Sequence, residues 1–170
     1  MIAANNRDSR SRAGKPRPVV RAAAFIVREG AVLLVRQKKG DATYWLLPGG
    51  RVNHGETLVQ AVVRELREEL CLEVAVRTPP LGLAENIPPH ASSGRHGITV
   101  VFAADITGED QPRPGDPAVR EYRWITADEL PGLTVHPPIH DLLGEWLRHL
   151  SGESRMDPPP FRYAGPRWAD

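Results

Sequence analysis

Glu65, Glu68 and Glu69 follow Arg64 in a single short run. On a helix, positions i, i+3 and i+4 gather side chains on one surface patch. Carboxylates held that close repel, and partial burial makes the repulsion costlier. A hard divalent cation relieves it, because Mg²⁺ takes oxygen ligands and keeps several of its waters. The plainer reading is a solvated face whose glutamates pair with Arg64 or Arg67, and an isolated E-x-x-E-E would be read that way.

The helix that must carry these groups has clear signals. Thr57, with Gln60 three residues on, makes a capping box and predicts a start there. Over residues 57–70, Leu58, Val59, Val62, Val63, Leu66 and Leu70 fall on one stripe. The glutamates border that stripe and do not oppose it. The breaker Pro48-Gly49-Gly50 lies just upstream.

Strand signals surround this helix. Residues 19–27 are apolar and β-branched, Arg28-Glu29-Gly30 is a turn signal, and 31–35 is a second strand, so the pair predicts a hairpin. Tyr44-Trp45-Leu46-Leu47 runs into the Pro-Gly-Gly breaker. Further strands are predicted at 73–76, 81–86, 98–106 and 121–125, a helical turn at 127–130 and a closing helix at 139–150. This alternation predicts an α/β fold with a mixed sheet between helical layers. Residues 1–18 read as a disordered basic tail, 19–150 as the folded domain and 151–170 as a Pro-rich tail. Phe161, Tyr163 and Trp168 in that last segment could dock on a surface or be incidental.

The 170 residues suit one domain with tails, and 41% hydrophobic with 25% charged residues excludes collagen-like, wholly disordered and disulfide-rich classes. The single cysteine, Cys71, cannot form an internal disulfide. The longest apolar run, 22–27, is far short of the ~20 residues of a membrane span. The N-terminus also lacks the apolar stretch of a signal peptide. A cytoplasmic protein with no membrane partner is expected. Net charge is +1, yet residues 1–21 carry six basic groups against Asp8 alone, which leaves a mildly acidic body. The body therefore does not read as a nucleic-acid surface, and the arm reads as a solvated tail.

The glutamate run belongs to a longer pattern. Gly50, five residues, Glu56, seven residues and then Arg64-Glu65-Leu66-Arg67-Glu68-Glu69-Leu70-Cys71-Leu72 together resemble the Nudix box. Trp45 to Gly50 resembles the strand and loop leading into that box, and Tyr122-Arg123-Trp124-Ile125 with Asp128-Glu129-Leu130 resembles the family's late strand and turn. The resemblance implies a Nudix-type α/β/α sandwich and a metal-dependent hydrolase that splits a pyrophosphate linkage by water attack at phosphorus. It implies Mg²⁺, with Mn²⁺ as an alternative, held by Glu65, Glu68 and Glu69 and by a carbonyl of Gly49 or Gly50. Glu65 is then the expected catalytic carboxylate, with Glu68 as competitor and Asp116 or Glu121 as candidates from a later loop. Arg64 would orient the glutamates, and Glu56 would brace the junction of loop and helix.

Substrate phosphates need cations. Arg36 and Arg51 flank the expected site, Lys38 and Lys39 are further options, and Tyr44 or Trp45 could stack on a base. His136 and His140 do not make a metal pair, because Pro137 and Pro138 separate them and no third ligand is evident. One position departs from the box: Cys71 stands where the family has glycine, at a site expected to be left-handed, for a cost of about 1 kcal/mol. A small-molecule nucleotide is the expected partner, and a homodimer is left open. The alternative function is a non-catalytic Nudix-fold nucleotide sensor, which would be expected to have lost box glutamates. The particular nucleotide is not readable from these residues.

Overall fold

A computed structural model describes residues 17–39, 41–90, 94–108, 111–152 and 159–167. The basic arm up to residue 16, the Lys39 side chain and Trp168 lie outside the described residues. The elements in chain order are β1 (Val19–Phe25), β2 (Val27–Arg28), β3 (Ala31–Lys39), β4 (Ala42–Leu46), β5 (Gly49–Arg51), α1 (Leu58–Leu70), β6 (Val74–Val76), β7 (Gly82–Asn86), β8 (Gly97–Ile106), β9 (Val119–Thr126), α2 (His140–Ser151) and β10 (Arg162–Arg167). A 3-10 turn, Leu130–Gly132, precedes α2.

The larger sheet is mixed, in the order β10-β7-β8-β1-β5 with β6 on β8. Within it β1 runs parallel to β8 and antiparallel to β5. Alternation along β1 builds a core on each face. Ala22 and Ala24 join Val62, Leu66 and Leu70 of α1. Ala23 and Phe25 join Leu143, Trp146 and Leu147 of α2, and the Phe25 and Trp146 rings meet edge-on at 5.7 Å. The mixed sheet thus lies between the two helices. A second, antiparallel sheet orders β2-β3-β4, with β9 also paired to β3.

The expected 19–27/31–35 hairpin is corrected. The pairing with β3 is confined to Val27 and Arg28, with Ile26 O accepting from Leu33 N–H at 3.0 Å, across a turn with Glu29 at φ 50° and Gly30 at φ 76°. Residues 19–25 leave for the larger sheet, with the chain crossing over at Ile26. The physical reason is burial on both faces: the run Ala22 to Phe25 is buried throughout, which suits a central strand better than a one-sided hairpin arm. The segment 151–170, read as a tail, also carries a strand. β10 pairs in parallel with β7, and Ala164 is buried in the core.

Candidate active site

Local chemistry fixes α1. Thr57 Oγ1 accepts from Gln60 N–H at 3.2 Å, and Gln60 Oε1 accepts from Thr57 N–H at 2.9 Å. At the other end Cys71 is left-handed (φ 54°, ψ 35°), and its N–H donates to Arg67 O at 3.1 Å. Cys71 therefore occupies the backbone conformation that glycine adopts most freely.

Arg64 is the hub of the acidic patch. Its Nε and Nη2 donate to the two Glu56 oxygens at 2.8 and 3.0 Å. Its Nη1 donates to Glu65 at 2.8 Å and to Glu68 at 3.1 Å, and Nη2 also reaches Arg51 O at 2.9 Å. The Glu56 carboxylate raises the Arg64 pKa, and Arg64 together with the Asn53 N–H holds Glu56 below the usual carboxylate range. One guanidinium thus ties the loop before α1 to two of the three glutamates of α1.

Glu69 is different. It is only 6% exposed. Its Oε2 accepts from Gly49 N–H at 2.9 Å and its Oε1 from Gln37 Nε2 at 3.1 Å. Burial pushes its pKa up to about 7, with Glu65 and Asp116 adding to the rise and the Gly49 N–H and Arg21 opposing it. Glu68 by contrast is a surface group with its side chain 56% exposed.

The Gly49-Gly50 pair has two separate tasks. A Cβ on Gly50 would collide with the Glu65 carboxylate, so the close approach of Glu65 requires glycine there. The ladder bonds Ala24 N–H to Pro48 O and Val52 N–H to Val20 O set the alternation of β5 against β1. By that alternation the Gly50 carbonyl turns into the ladder toward Ala22. Gly49 turns the other way, and its carbonyl accepts from Arg21 Nη2 at 2.6 Å.

Among the described residues no three His, Cys, Asp or Glu side chains already converge as a ready-made ligand set. Glu65 and Glu68 engage Arg64, while Glu69 engages Gly49 and Gln37. The donor chemistry nonetheless fits a hard divalent cation. Three carboxylates adjoin on one helix, and one of them is buried and disfavoured as a bare anion. His136 and His140 hold no metal-type arrangement: His140 Nε2 meets Leu133 O at 2.8 Å, and His136 packs edge-on against Tyr44 at 5.4 Å.

A cleft of about 610 Å³ opens at Gln37, the hydrogen-bond partner of Glu69. Arg21, Gln37, Tyr44, Arg51, Asn86, Arg95, Thr99 and His136 line it. Of the residues expected to meet substrate, Arg51 and Tyr44 therefore lie on this cleft. Arg36 and Trp45 do not line it. They pair across β3 and β4, one residue out of step with the Gln37 and Tyr44 pair, and so point to the opposite face. Trp45 is 8% exposed within the core, and Arg36 lies over its ring while pairing with Glu121 at 2.8 Å. The same pairing takes Glu121 away from the box. Asp116 stays near it, because Gly115 N–H binds Glu69 O and Arg113 N–H binds Leu70 O, both at 2.8 Å. Lys38 is exposed on β3 and does not line the cleft.

Arg21, Gln37, Asn86, Arg95, Thr99 and His136 escaped the sequence reading of the substrate side. Arg21 carried a signal, being the one charge inside an apolar strand. Asn86 and Thr99 are buried polar residues on neighbouring strands, which no local pattern reveals.

A family profile described as NUDIX domain matches residues 16–150. An ADP-ribose pyrophosphatase of Methanocaldococcus jannaschii is 33% identical over 137 residues, covering 79% of this chain and 76% of that protein. A putative 8-oxo-dGTP diphosphatase 2 of Mycobacterium tuberculosis is 31% identical over 137 residues, covering 78% and 90%. The crystal structure of a MutT Nudix hydrolase from Burkholderia pseudomallei superposes with a TM-score of 0.63 at 33% identity, covering 75% of this chain and 96% of that one. With the acidic helix, the glycine approach and these relationships in agreement, the chain belongs to the Nudix family and is a Nudix hydrolase.

Proposed function

We propose that the protein cleaves the pyrophosphate linkage of a nucleoside diphosphate derivative or a nucleoside triphosphate, with Mg²⁺ (or Mn²⁺) as cofactor. The observation that carries this reading is the junction at Gly49. On one side stands the Glu65, Glu68 and Glu69 patch, and on the other a cleft bearing Arg21, Arg51 and Arg95. Such a cleft suits a polyanion, and the patch suits the cation that a polyanion needs.

Glu65, Glu68 and Glu69 would hold the ion, which supplies charge neutralisation at phosphorus and lowers the pKa of a bound water. The chain's own groups do the rest. Arg64 sets the orientation of Glu65 and Glu68. Arg21 and Arg51 bind phosphate oxygens, Tyr44 offers its ring to a base, and Asn86 and Thr99 offer polar atoms to the base or sugar. Glu65 takes the proton of the attacking water, with Glu68 or Asp116 as the alternative acceptor. A cytoplasmic setting belongs to the same proposal and is supported by the lone, exposed thiol of Cys71.

The test is a panel of nucleotides with Mg²⁺, including ADP-ribose and 8-oxo-dGTP, the compounds named for the relatives. Pyrophosphate-bond cleavage by the wild type, abolished in Glu69→Gln, supports the hydrolytic reading. Binding of nucleotides without cleavage of any panel member would favour a sensor.

A further inference from the structure

Beyond the family match, which ends at residue 150, the chain adds β10 to the edge of β7. Its seat is well made. Ala164 enters the core, and Arg162 binds Glu145 of α2 at 2.5 Å. The backbone at Gly165 lies so close to Glu85 that a Cβ there would sit 2.8 Å from the Glu85 Cβ.

On the face of the sheet away from Ala164, a chain of side chains runs from β10 across β7 to the residue that enters β8. Tyr163 Oη donates to Glu85 Oε2 at 2.5 Å, and Glu85 Oε1 pairs with His96 Nε2 at 2.7 Å. The Tyr163 hydroxyl, and after it His96, hold Glu85 below the usual carboxylate range. The next residue after Glu85 is Asn86, and the residues on either side of His96 are Arg95 and Gly97. Those three line the cleft. His96 O also accepts from Val19 N–H at 2.9 Å, which ties the start of β1 to the same point.

We propose that β10 is a positioning element for the cleft. The Tyr163–Glu85–His96 chain fixes the wall formed by Asn86, Arg95 and Gly97, which receives the part of the substrate remote from the cleaved linkage. The inference deepens the proposed function and rests on it for the identity of the cleft. Tyr163 itself touches no substrate and acts through Glu85 and His96.

Two variants of the full chain test it. Tyr163→Phe removes the donor, and Gly165→Val forces β10 away from Glu85. Amide hydrogen exchange is compared with wild type at neutral pH, together with initial rates on ADP-ribose and 8-oxo-dGTP. Exchange at residues 94–99 is expected to quicken by about tenfold, because a locally loosened segment opens more often. On whichever probe is cleaved, KM is expected to rise by about threefold to tenfold with kcat within about twofold, the mark of lost uniform binding. Unchanged exchange at 94–99 overturns the proposal, as does an unchanged KM or a loss confined to kcat. Should the wild type cleave neither probe, the reading of the substrate fails separately, and the exchange comparison alone decides the role of β10.

Discussion

Glu69→Gln should stabilise the cation-free fold at alkaline pH and abolish hydrolysis when the cation is supplied. Glu69 has its pKa raised from 4.5 to about 7, chiefly by burial. A raised carboxyl pKa means that the folded state holds its proton longer than the unfolded chain does. Stability from this group is therefore greatest below about pH 4.5, falls as pH rises toward 7 and is flat above. The displacement from 4.5 to about 7 corresponds to roughly 3 kcal/mol of strain in the ionised form. A glutamine avoids that strain, and it can still accept the Gly49 N–H bond. In EDTA at pH 8 the variant should melt higher than wild type by roughly 6–12 °C, from about 2–4 °C per kcal/mol at this size. At pH 4.5 the two should melt almost together. Thermal unfolding in EDTA at both pH values is the assay. A variant that melts below wild type at pH 8, or a gap that does not change with pH, would show that burial does not govern this carboxyl.

Other sites give sharper contrasts. Gly50→Ala drives a methyl group into the Glu65 carboxylate, and kcat should drop by about a hundredfold on displacement of that group. Steady-state kinetics with normal activity would contradict the close approach. Trp45→Ala opens the core and should cost about 3–5 kcal/mol in urea unfolding, whereas the partly buried Tyr44→Ala, on the cleft face, should raise KM at a smaller cost in stability. Cys71→Gly relieves a left-handed residue at φ 54° and should stabilise by up to about 1 kcal/mol without changing kcat, measured by the same unfolding curves.

Much of the acidic patch was readable because α1 is a local structure. The Thr57 and Gln60 capping pair, the apolar stripe and the left-handed exit at Cys71 all depend on residues within a turn or two of one another. What escaped depends on pairing between distant segments. Arg36 and Gln37 are neighbours in sequence, yet only Gln37 faces Glu69, and the register against β4 decides which. The cleft draws Arg21, Asn86, Thr99 and His136 from four separate stretches of chain, so no window of sequence contains it. β10 was obscured by its Pro-rich surroundings, and its strand conformation comes from the edge that β7 offers. The split of 19–28 between two sheets has the same origin, since the Ala-rich run cannot announce its distant parallel partner, β8.

The proposed hydrolysis requires the Glu65, Glu68 and Glu69 patch to bind a divalent cation beside the cleft. Mn²⁺ titration followed by water-proton relaxation tests this without reference to any substrate, in wild type and in Glu65→Gln, Glu68→Gln and Glu69→Gln. One saturable site is expected in wild type, weakened by each substitution and most by loss of the buried Glu69 carboxylate. Equal Mn²⁺ affinity in all four proteins, or no saturable site at all, would contradict the assignment.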